Sequence, residues 1–176
     1  MSISQFNGTW SNKEDRIELR FNTSQKEEFC FWVTRFMALQ FIALTDSVME
    51  NRLKKSYENE RTAEVVQEFQ KEQLKSSADF TGVYEGGDIH PAGSAPILLI
   101  GLSLTPQDEI VDVQFQLENK MNVNFQVSHK MLNSLALLLE TLAKNAGWLV
   151  GQGEVTLVAD DMHSPAQSLG NKKSLH

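Results

Sequence analysis

Apolar and polar positions alternate in two runs near the start of the chain, residues 6–11 and 16–22, separated by polar residues 12–15. This pattern predicts a β-hairpin. From Ser24 onward the two-residue period is lost. Ser24 and Glu27 have capping-box spacing, and residues 29–44 are densely apolar, so a helix starting near Ser24 is expected. No proline or glycine follows until Gly82, which lets helical structure run, with a break, to about Lys75. The part from Glu50 to Lys75 has balanced charges and a sparse apolar stripe including Leu53, Val65 and Phe69, as expected of a surface helix or one packed on another chain. Residues 79–96 hold four glycines and two prolines and predict a long mobile loop.

From Ile97 the pattern turns to strand. Residues 97–104 are almost continuously apolar, which suits an interior strand, with a bulge expected at Gly101. Val111, Val113, Phe115 and Leu117 then alternate with polar residues, as do Val123, Phe125 and Val127, predicting a hairpin with one apolar face and one face of Asn and Gln. A helix is expected from Ser128 to Gly147, a last strand at 154–159, and a flexible tail at 161–176. The expected fold is therefore α+β, a largely antiparallel sheet of five or six strands with two main helices packed on one face. Residues 1–160 form a single domain in this reading.

A strand running into a helix occurs twice, at residues 16–44 and 121–146. An offset of 104 residues superposes Phe21 on Phe125, Ser24 on Ser128 and Lys26 on Lys130. These two similar units are joined by the long charged helix and the Gly-rich loop.

Composition narrows the function classes. At 176 residues, with 41% hydrophobic and 22% charged positions, the chain has the makings of one soluble domain with a real core. The lone Cys30 makes no internal disulfide, no signal peptide is visible, and residues 29–44 are too short and too polar at Arg35 and Gln40 to span a bilayer, so a cytoplasmic protein is expected. Metal-ligand spacings, the GxSxG nucleophile elbow and the phosphate-binding glycine motifs are absent from the sequence, and no cofactor is expected. Asp88 with His90, like Asp160 and Asp161 with His163, sets acids near a histidine, and a small enzyme using Asp88 and His90 is a third possibility.

The distribution of charge is more informative than its total. Of the net −7, −6 falls after residue 75, and residues 76–119 carry Asp79, Glu85, Asp88, Asp108, Glu109, Asp112 and Glu118 without one lysine or arginine. Direct nucleic-acid binding is disfavoured by that sign. A patch built from Glu85, Asp88, Asp108, Glu109, Asp112 and Asp79 would attract a basic protein. The expectation is a non-catalytic acidic protein-binding module, most concretely an immunity protein or inhibitor of a cationic toxin domain such as a nuclease. The alternative is an oligomeric structural or adaptor protein assembling through its apolar helix.

Overall fold

The computed structural model describes residues 1–56, 60–77 and 83–149. Its elements run β1 (Ile3–Ser11), β2 (Arg16–Thr23), β3 (Glu28–Val33), α1 (Arg35–Ser56), α2 (Glu60–Ser77), β4 (Ile97–Pro106), β5 (Ile110–Leu117), β6 (Asn122–Ser128) and α3 (His129–Asn145). The fold is α+β, and the six strands lie in sequence order in a mostly antiparallel sheet. β1–β3 and β4–β6 are each an antiparallel meander, and β3 joins β4 in parallel through Phe31–Ile97 and Trp32–Leu98. Parallel neighbours require a long crossover, which α1 and α2 supply. The expected strand at 154–159 and tail at 161–176 lie outside the described residues.

Far from the β3/β4 seam, the sheet curls until its two ends meet. Ser2 bridges Gln126 in parallel, and the Gln126 N–H donates to the Met1 carbonyl at 2.9 Å. The apolar faces of both meanders thereby enclose one core. Phe21, Phe31, Phe115 and Phe125, one from each of β2, β3, β5 and β6, form a ring of contacts with centroid separations of 5.3, 5.4, 5.0 and 5.0 Å around the circuit. Phe41 of α1 packs edge-on to Phe115 at 6.3 Å. α1 lies against β4, α3 against β1, and the two helices pack on each other.

The chain is a tandem repeat, but not in the register expected from sequence. Arg16 and Ile110, Glu28 and Asn122, and Arg35 and His129 open corresponding elements 94 residues apart, while on the first strand of each unit the pairing moves the correspondence to 96, Ile3 facing Thr23 as Leu99 faces Leu117. The offset of 94 carries Phe21 to Phe115, Phe31 to Phe125, and the β2–β3 turn to the β5–β6 turn. In those turns Lys26 and Lys120 share left-handed φ values of 60° and 66°. The Thr23 N–H donates to the Glu27 carbonyl just as the Leu117 N–H donates to that of Met121. Helix caps correspond too, Thr34 Oγ1 accepting from the Met37 N–H at 3.3 Å and Ser128 Oγ from the Met131 N–H at 3.2 Å.

The offset of 104 is therefore replaced by one of 94, and each unit is βββα rather than βα. The error has a local cause. Residues 28–33 form a strand, with Phe29, Phe31 and Val33 facing the core, while Cys30 and Trp32 on the other face are also apolar and conceal the alternation. Ser24 sits in a hairpin turn, where Thr23 Oγ1 accepts from the Gln25 and Glu27 N–H groups. The helix consequently starts at Arg35, eleven residues later than the Ser24 start. At the other end Gly147, with φ of 72°, terminates α3 as expected.

Three substitutions test this frame by urea denaturation. Phe115→Ala, which removes a ring touching three others, is expected to cost about 3–5 kcal/mol. Loss of equivalent caps in Thr34→Ala and Ser128→Ala is expected to cost about 1 kcal/mol each.

Candidate functional site

Outward-facing residues of the two meanders occupy matching positions but carry different chemistry. On the first meander the set includes Glu18, Arg20, Asn22, Glu28, Cys30 and Trp32, and on the second the counterparts are Asp112, Gln114, Gln116, Asn122, Asn124 and Gln126. The first face is covered by the chain itself. Residues 83–90 cross it as a strap, with the Glu28 N–H donating to the Ile89 carbonyl at 2.7 Å and the Ile89 N–H to that of Lys26 at 3.1 Å. Asn22 Nδ2 donates to the Glu85 carbonyl, and the Glu85 N–H to Gln5 Oε1 at 3.1 Å. The Gly-rich segment expected to be a long mobile loop is thus held, over its described part, by backbone bonds to β3 and side-chain bonds to β1 and β2.

Gly87 is what lets the strap lie so close. A Cβ there would fall 2.5 Å from the Lys26 carbonyl oxygen and 2.9 Å from Glu28 N, both backbone atoms that cannot swing aside. Beneath the strap, the buried Glu28 carboxylate accepts from Tyr84 OH at 3.0 Å and lies 3.6 Å from His90 Nδ1. Burial, reinforced by its bond to Glu28, pushes the Tyr84 hydroxyl well above its ordinary pKa. Burial and a bond to Glu18 push the thiol of Cys30, on β3, up to about 12.

The acidic residues singled out in the sequence are not gathered into one patch. Glu85 and Asp88 belong to the strap, where Asp88 faces Lys26 at 3.7 Å. Asp108 and Glu109 lie in the β4–β5 turn, at the far end of β4 from the strap, and β4 alone spans about 30 Å at roughly 3.3 Å per residue. Asp79 lies outside the described residues. Asp88 and His90 are engaged separately, by Lys26 and Glu28, and do not form the pair that general acid–base work would require. Among the described residues no group of three His, Cys, Asp or Glu side chains is disposed to hold a metal ion, and no helix is long and apolar enough to cross a membrane.

The exposed face of the second meander carries Asp112, on the strand that follows the Asp108–Glu109 turn. Asp112 is held between two amides, Gln107 Nε2 donating to one carboxylate oxygen at 2.5 Å and Gln126 Nε2 to the other at 2.8 Å. Beside it, Gln114 Nε2 donates to Asn124 Oδ1 at 3.0 Å. Asp112, Gln114, Asn124 and Gln126, with Ser103, Thr105 and Met1, line an open concavity of about 500 Å3. Glu109 lies nearby, and its carbonyl is 3.2 Å from His129 Nδ1. Burial first, then the charge of Arg52, holds His129 below its ordinary pKa, so the Glu109 end of the face is not without a cation.

A second concavity, of about 630 Å3, runs between β1 and α3, with Phe6, Met131, Leu138 and Leu142 in its lining and Val83 and Tyr84 of the strap beside them. Sequence periodicity could not reveal it, because it exists only where the curled sheet brings β1 against a helix 120 residues later.

No family model, no curated protein and no solved structure matches this chain.

Gly87→Ala tests the close approach of the strap. The added methyl is expected to lift the segment off β3 at a cost of about 1–3 kcal/mol. Amide exchange should accelerate at Glu28 and Ile89 while the β5–β6 amides stay protected.

Proposed function

We propose that the protein is a non-catalytic binding module that docks a basic protein surface on the open face of β4–β6, through Asp112 with Asp108 and Glu109. The observation that carries this reading is the Asp112 carboxylate, fixed by Gln107 and Gln126 in a concavity of a sheet face lined by amides and hydroxyls. Residues 76–119 supply no lysine or arginine to neutralise it. A carboxylate already oriented by two amides loses little side-chain freedom on binding, and it can pair with a lysine or arginine while the surrounding Asn and Gln side chains satisfy that partner's polar groups. A cationic toxin domain such as a nuclease, neutralised by an immunity protein, is the partner class this surface would serve. Glu85 and Asp88 are given no part in that contact, because they sit on the strap across the other meander.

The test uses a lysine-rich peptide as probe, titrated from about 50 to about 300 mM salt. Affinity is expected to fall as salt rises, and replacing Asp108, Glu109 and Asp112 together by amides is expected to weaken binding roughly tenfold at low salt. Unchanged affinity and salt dependence in the triple variant would overturn the reading.

One observation favours a second reading, an adaptor that assembles through its apolar helix. Phe36 and Leu44 of α1 are 65% and 39% exposed. If that surface joins copies, light scattering is expected to show a dimer that Phe36→Glu converts to monomer.

A further inference from the structure

The strap marks a place on the first meander whose counterpart on the second is crossed by none of the described residues, and we infer that this counterpart receives an extended segment of a partner protein. On the first unit the strap is engaged by the Glu28 N–H and the Lys26 carbonyl, on the edge of β3 that faces away from β2. The 94-residue offset carries these two groups to the Asn122 N–H and the Lys120 carbonyl on β6. Bonded and non-bonded pairs alternate along an antiparallel ladder. The Leu117 N–H donates to the Met121 carbonyl, so Asn122, opposite Gln116, turns its own N–H and carbonyl away from β5. Gln126, four residues on and in the same phase, shows this outward direction directly, since its N–H reaches the Met1 carbonyl.

The shape of the turn is preserved along with its bonds. Lys120 has the left-handed conformation of Lys26, so the carbonyl and N–H flanking residue 121 are set as they are around Glu27. The path that a strap would take across the second meander runs from Met121 past Asn122 and Gln116 to Ile100. Met121 and Ile100 are both exposed, at 41% and 55%. Backbone donors and acceptors at the centre with an apolar side chain at each end is the arrangement used in strand addition.

The chemistry of the occupant follows from the strap itself. Gly87 is needed where the segment passes the Lys26 carbonyl, and the next residue, Asp88, faces the Lys26 ammonium. At the second position Lys120 supplies the same charge beside the same carbonyl. The segment it takes therefore has a glycine, then an acidic residue, then an apolar one, in extended conformation. This site lies at the opposite end of β6 from Gln126 and Asp112, and it does not rest on the basic-partner reading.

The probe is a synthetic peptide with the sequence of residues 83–93, added to the whole protein up to about 1 mM. Saturable binding is expected, with amide shifts in residues 120–124 and no displacement of the strap at residues 26–28. Asn122→Pro removes the outward N–H without breaking a bond to β5 and is expected to weaken binding by roughly tenfold or more, with the amide shifts of β5 and β6 away from residues 121–123 unchanged as the check that the hairpin is intact. Lys120→Glu, which leaves the backbone alone, is expected to weaken the same peptide and to be rescued when lysine replaces Asp88 in the probe. A probe with alanine at Gly87 is expected not to bind. The proposal is overturned by absence of saturable binding, by shifts at residues 26–28 in place of 120–124, or by unaltered affinity in both protein variants. Concentration-dependent shifts at 120–124 without peptide would make a second copy of the chain the occupant and overturn it equally.

Discussion

Everything in this molecule depends on a core that neither half can close alone. Phe21 and Phe31 come from one meander, Phe115 and Phe125 from the other, and each ring completes its contacts only across the divide. A three-stranded sheet buries one face only if something covers it, and here each meander is the cover for its neighbour. The curvature of the sheet, the meeting of Ser2 with Gln126, and the placement of α1 and α3 all follow from that requirement.

Because the core is shared, the outward faces are relieved of packing duties and can differ. On the first unit the face carries a buried carboxylate and a buried thiol, and burial of such groups is tolerable only with partners. Tyr84, the nearby His90 and the strap backbone surround Glu28, and Glu18 bonds Cys30. On the second unit the amides of Asn122 and Asn124 stand in the same two positions and are stable in water. One frame thus yields a covered face and an open one, and the open one holds both the Asp112 concavity and the outward N–H of Asn122.

Much of the fold was legible in the sequence, and the part that was not has a physical reason. Clean alternation in residues 111–127, with polar Asn and Gln opposite Val and Phe, located β5, β6 and the Ser128 cap. Alternation failed as a guide at residues 28–33, because Cys30 and Trp32 lie under or beside covering structure and need not be polar. That one misassigned strand displaced the repeat by ten residues. For the candidate site, the absence of cations from 76–119 was visible, but whether carboxylates converge depends on which end of β4 each occupies, and composition is silent on that. The strap was hidden for a similar reason: glycine is as necessary where backbones touch as where they are free.

The left-handed lysine shared by both hairpin turns has a wider implication. A lysine at φ near 60° is an uncommon choice, since asparagine or glycine fits that geometry with less strain. Its recurrence at Lys26 and Lys120 sets an ammonium at the same corner of each unit, and among the described residues the one at Lys26 alone of the two has a carboxylate within ion-pair reach, Asp88 at 3.7 Å.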